Sequence, residues 1–166
     1  MGRKEEMFQY AREKLTPYIS ERANLLRKDC AAYLEMKREY HRIVSDLLQT
    51  AQKRQAAGTL GQIHYFSIFY LQSSAVTQSY DFALSLTNER YCLDQNGLLC
   101  FWCPQRLFQA VEEDLSFFEK DARQMWIRIR PYELEEIRRA YINNLYQLAG
   151  FFFGEESLDA AVLGGI

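Results

Sequence analysis

The amino-acid sequence predicts an α+β fold, and three observations carry that reading. Apolar residues at alternating steps of three and four run through 17–57, a spacing that lines one face of a helix. Between 62 and 102 the period shortens towards two, and only Asp81, Glu89, Arg90 and Asp94 carry charge there. From 104 onward the helical period returns. Helices, then strands, then helices is the order of an α+β domain.

The elements follow in turn. Residues 4–15 predict a short leading helix with Phe8, Ala11 and Leu15 on its inner side. Thr16-Pro17 reads as a restart, a capping hydroxyl followed by proline where no amide donor is needed. A long helix over 17–57 comes next, its stripe made by Ile19, Leu26, Cys30, Tyr33, Tyr40, Val44, Leu47 and Ala51. At about 1.5 Å per residue it would span roughly 60 Å, so it either protrudes or breaks near Lys37, where the stripe is interrupted. Gly58 and Gly61 close it off.

The stretch 62–72 is β-branched and aromatic without charge, so it predicts a central strand covered on both faces. Residues 76–86 alternate Tyr80, Phe82, Leu84 and Leu86 with Asp81, Ala83 and Ser85, as a half-buried strand does. Asn96-Gly97 predicts a type I′ hairpin joining a third strand, 90–94, to a fourth, 98–102. The sheet is thus expected as a four-stranded antiparallel meander. Pro104 opens a helix over 104–126, residues 127–130 link, and a last helix covers 131–150. Residues 1–154 are expected as one domain, with 155–166 as a loosely ordered tail.

Composition excludes more than it assigns. The formal charge is -2, without the basic excess of a general nucleic-acid binder. Charge is uneven along the chain: net +4 over 1–57, -2 over 58–104 and -4 over 105–166. No stretch reaches the 18 or so apolar residues of a membrane helix, and the N-terminus lacks the pattern of a signal peptide. Four cysteines without an export signal point to reduced thiols and a cytoplasmic protein. The chain lacks a glycine-rich phosphate loop, a nucleophile elbow and a dinucleotide fingerprint.

Three groups of residues remain as candidates. Cys100-Phe101-Trp102-Cys103 is the one CxxC, and with Cys92 it would make a zinc or redox site. A regular ladder puts Cys100 on the face opposite Cys92, which leaves Cys92 and Cys103 as the pair able to share a metal. His41, beside Arg38 and Arg42, reads as solvated, and His64 as a core histidine. Arg128 and Arg130 alternate with Ile127 and Ile129, so an extended link would aim both arginines one way as an anion site. Tyr65 and Tyr70 would supply the aromatic wall of such a ligand pocket.

The sequence expectation for function is an intracellular, non-catalytic interaction or regulatory domain that self-associates. Its interface would be the helical stripe at Tyr33, Tyr40, Val44 and Leu47, or the charge-poor sheet. The alternatives are a small-ligand or anion-binding domain using Arg128 and Arg130, and a cysteine site at Cys100 and Cys103. Neither a cofactor nor a nucleic-acid or membrane partner is implied.

Overall fold

The structure is a computed structural model that describes residues 2–164, with backbone alone for 158–164. Its elements are α1 (Arg3–Leu25), α2 (Ala31–Ala56), β1 (Tyr65–Tyr70), α3 (Gln72–Thr77) and β2 (Phe82–Thr87). A 3₁₀ turn at Tyr91–Leu93, β3 (Leu98–Trp102), α4 (Gln105–Phe108), α5 (Val111–Met125) and α6 (Pro131–Gly164) complete the chain. Helices therefore flank a small antiparallel sheet in sequence, the α+β order. The chain divides into two compact units, one of Met1–Leu34 with Gln105–Glu156, the other of Glu35–Pro104 with Ser157–Ile166.

Two expected helix boundaries move. Helix α1 continues through Pro17, and Thr16 within it caps nothing, its hydroxyl donating back to the Arg12 carbonyl (2.6 Å). The break comes at 26–30, where Leu26 and Arg27 tighten onto the carbonyls of Ala23 and Asn24 and Cys30 bonds to Arg27. The single 17–57 helix is thus two, with no interruption at Lys37. At the other end α6 continues past Gly150 to Gly164. A glycine costs a helix about 1 kcal/mol, and the buried Ala149, Phe152 and Phe153 around it offset that.

The first unit is helical. Its core holds Met7, Ala11 and Leu15 from α1, Leu107 and Phe108 from α4, and Val111, Phe118 and Ala122 from α5. Ile137, Tyr141, Leu145 and Ala149 complete it from α6. A buried polar tie crosses this core. Asp114 Oδ2 accepts from Arg22 Nη2 and from the Tyr141 hydroxyl, each at 2.6 Å. Burial pushes the Asp114 carboxyl above the usual carboxylate range, against the opposing pull of Tyr141 and Arg22. Tyr33 also belongs here: it is buried, meets Phe152 edge-on and donates to the buried Glu156.

The second unit contains the sheet, three strands in the order β1-β2-β3 among the described residues. Pairing is antiparallel, from Tyr65↔Thr87 to Tyr70↔Phe82 on one side and from Phe82↔Trp102 to Leu86↔Leu98 on the other. Phe66, Ile68, Tyr70, Phe82, Leu84, Leu86, Leu98, Cys100 and Trp102 thereby share the inner face. Tyr40 of α2 packs on Trp102 with ring centroids 5.5 Å apart, and its hydroxyl bonds Ser157 (2.8 Å). Val44, Leu47 and Ala51 are buried along the same helix.

Three sheet expectations are corrected. The central strand is β2, buried at nearly every position, and β1 is an edge. Residues 72–77 form α3, ended by Gln78 in the left-handed region, where an early part of the second strand was expected. The strand expected at 90–94 is absent: a 3₁₀ turn stands there. The carboxylate of Asp94 explains that change, as described below.

The tie at Asp114 yields the first prediction. Asp114→Ala should destabilise the protein by about 3–5 kcal/mol, because it strands the buried Arg22 guanidinium. Joint replacement, Arg22→Met with Asp114→Leu, should recover most of that loss. Urea unfolding of the two variants separates a stranded charge from a plain packing defect.

Candidate functional site

The outer face of the sheet is built from small residues in the middle and rings at the sides. Tyr65, Ser67 and Phe69 of β1, Ala83, Ser85 and Thr87 of β2, and Leu99 and Phe101 of β3 share it. Ala83 and Ser85 are buried beneath their larger neighbours. Tyr65, Phe69, Leu99 and Phe101 stand 41–56% exposed, far more than a finished core allows. The Thr87 hydroxyl oxygen is buried without a hydrogen-bond partner.

Above this face lies the 88–97 loop, organised by one side chain. Asp94 Oδ2 accepts the Asn88 amide (2.8 Å) and Oδ1 accepts the Asn96 amide (2.9 Å). Asn88 repeats the device, its Oδ1 taking the Arg90 amide at 2.8 Å. The bonds to Asn96 and Arg90 are Asx turns, in which a side chain does the work of a backbone carbonyl, and the bond to Asn88 closes the loop. The two-residue hairpin at Asn96-Gly97 does not form, since neither residue has the positive φ that a type I′ turn needs. Gly97 serves instead for close approach: a Cβ there would lie 3.1 Å from the Leu86 carbonyl oxygen.

The loop carries Tyr91 with φ of 51°, an uncommon state for an aromatic residue. Its ring lies edge-on to Tyr65, 5.3 Å between centroids, and tilted against Phe69 at 6.3 Å. Beneath them is an open cavity of about 260 Å³ lined by Phe69, Ser85, Thr87, Tyr91, Asp94 and Leu99, with Cys92 at its side. The backbone amides donated to Asp94, that of Asn88 foremost, hold its carboxyl below the usual carboxylate range, so it is anionic at neutral pH.

No protein-family model matches this chain, and no curated protein or solved structure matches it either. Function has to be read from the chain's own geometry.

Of the ligand-binding residues expected from sequence, Tyr65 and Tyr70 are both exposed but face opposite sides of β1. Arg128 and Arg130 belong to the other unit. Arg128 has φ of 66°, so the link is not extended and the expected alternation fails. The Arg130 guanidinium stacks on Tyr132, 5.9 Å from its centroid. The neighbouring Arg123, Arg138 and Arg139 pair with Glu119, Glu112 and Glu135. Acidic partners thus take up much of the cationic field that an anion site would need.

The cysteines do not converge as a ligand set. Cys92 is exposed on the 3₁₀ turn and Cys100 faces inward beside Leu84. Cys103 follows the end of β3, where burial and the nearby Asp81 and Glu39 charges push its thiol up to about 12. Among the described residues no three His, Cys, Asp or Glu side chains are grouped to hold a metal ion. His64 is exposed, contrary to the core position expected for it.

Tyr33, Tyr40, Val44 and Leu47, expected as an interface, are each at most 6% exposed within the chain itself. Their stripe is core. Among the described residues no helix is long and apolar enough to cross a membrane.

Two outcomes are expected here. Asp94 stabilises its loop fully above the ordinary carboxylate pKa of about 3.9. That support is lost as pH falls through its lowered native value, because protonation then removes the amide acceptor. Amide NMR should show Asn88 and Asn96 loosening in acid, and Asp94→Ala should loosen them at neutral pH. Under native conditions at pH 8, maleimide should label Cys92 first and Cys103 last, since only a minute fraction of a thiol titrating near 12 is thiolate. Mass spectrometry of timed digests reads that order.

Proposed function

We propose that this chain is a non-catalytic interaction domain that self-associates through its sheet, with β1 as the contact strand. One observation carries the reading: β1, Tyr-Phe-Ser-Ile-Phe-Tyr, is an uncharged, proline-free edge strand. Tyr65, Phe66, Phe69 and Tyr70 are 38–48% exposed, so both of its faces present rings to solvent. Such an edge offers a row of unpaired backbone groups to any strand that approaches. Natural sheets normally blunt their edges with lysine, proline or a bulge, and β1 has neither of those residues.

The other edge is a weaker candidate. β3 is buried at both ends, by Leu98 and Trp102, and runs into Cys103-Pro104. Antiparallel pairing of β1 with its copy about a two-fold axis would give a continuous six-stranded sheet. It would also set exposed rings from the two copies side by side, where aromatic pairs add roughly 0.2–1 kcal/mol each. Stripe residues of the helices take no part, being buried already.

The test is oligomeric state. The untagged protein should run as a dimer in light scattering and native mass spectrometry. Tyr65→Lys with Tyr70→Lys should run as a monomer that keeps the far-UV circular dichroism of the parent, since charge on the edge opposes strand pairing. A monomeric parent protein, or a double variant that stays dimeric, would refute the edge-pairing reading.

A further inference from the structure

We infer that the cavity between Phe69, Tyr91 and Asp94 on the outer sheet face binds a small quaternary ammonium ion, one carrying a trimethylammonium group. The inference does not rest on self-association, since it concerns the face of the sheet and not its edge.

Three features of the site select that chemistry. First, the walls are rings. Phe69 and Tyr91 both line the cavity, their rings tilted at 49° with centroids 6.3 Å apart, and Tyr65 lies edge-on to Tyr91. Aromatic faces attract cations through the ring quadrupole, most strongly where the cation sheds water easily. A methylated ammonium ion does so far more readily than a lysine ammonium, whose N–H groups hold their hydration.

Second, the charge is complementary. Among the described residues Asp94 is the one charged residue lining the cavity. Its carboxylate accepts the backbone amides of Asn88, Asn96 and Gly97, and a carboxylate has about four acceptor sites, so it keeps attraction for a cation. Arg90, in the same loop, is the one basic residue in 58–104, against Asp81, Glu89 and Asp94, so the local balance stays negative. An anionic ligand would face that carboxylate without a compensating cation in the lining.

Third, the size fits. A volume of about 260 Å³ falls below the roughly 300–1,000 Å³ of drug-sized pockets. It suits a single compact headgroup above the small floor of Ser85 and Thr87. The loop also holds Tyr91 at φ of 51°, a sparsely populated conformation that persists only where the surrounding structure maintains it. The strained residue is one of those that line the cavity.

Calorimetric titration of the full chain with choline tests this. Its neutral isostere, with a tert-butyl group in place of the trimethylammonium, is the control. Choline should bind, and the isostere should bind about tenfold more weakly, the share due to cation–π attraction. Tyr91→Leu should erase the preference for choline while retaining the melting temperature and circular dichroism of the parent. Phe69→Leu provides a second variant if the loop does not tolerate leucine at 91. Equal binding of the two compounds would reduce the site to an apolar pocket and overturn the inference, as would failure of choline to bind. Binding of a trimethyllysine peptide where choline fails would also overturn it, since the occupant would then be a protein segment. None of these outcomes depends on whether the parent is a dimer.

Discussion

The hydrogen bonds that bring backbone amides to Asp94 fix the part of this protein on which its functional reading depends. Without that carboxylate, the 88–97 loop would leave the amides of Asn88 and Asn96 in search of partners. With it, the loop is drawn over the sheet and Tyr91 is held against Tyr65 and Phe69. A single half-buried acid thus shapes the loop over the outer sheet face. The contrast with Asp114 is instructive. There the acid is buried, its partners Arg22 and Tyr141 are side chains, and the gain is a tie across a helical core.

The two faces of the sheet differ because of what the second unit can place on them. The inner face is closed along β2 and β3 by large residues, Phe82, Leu84, Leu86 and Trp102, with Tyr40 packed on the last, while Phe66 and Tyr70 of β1 stay exposed. The outer face has Ala83 and Ser85 at its centre, which are too small to bury their taller neighbours. Rings on β1 and β3 therefore stay partly in water. Exposed apolar surface of that kind is what the proposed headgroup site draws on.

Much of the fold was legible in the sequence. The three-and-four stripe identified most of the residues that bury along α2, though not Met36, and the period-two alternation separated Phe82, Leu84 and Leu86 from Ala83 and Ser85 on β2. What failed did so for identifiable physical reasons. Leu26, Cys30 and Tyr33 keep helical spacing across the 26–30 break, so periodicity could not see a turn closed by backbone bonds. Pro17 suggested a boundary, yet a proline inside a helix removes one hydrogen bond and does not always end it. Asn96-Gly97 suggested a tight hairpin, while the decisive signals were Asn88-Glu89-Arg90 and Asp94-Gln95-Asn96, each an acceptor side chain two residues before an amide. The cavity was not legible, because its rings come from a strand and a loop brought together by that carboxylate. Tyr65 was named in advance and Tyr91 was not.

The open edge of β1 also bears on how the chain can be made. Six uncharged residues without proline have the composition of segments that stack into amyloid-like cross-β fibrils. On the ribosome β1 emerges before β2, so for that interval both of its edges are bare. Synthesis that stalls between residues 70 and 82 would leave the most adhesive stretch of the chain without its native neighbour. Chaperone capture of the nascent chain matters most in that window.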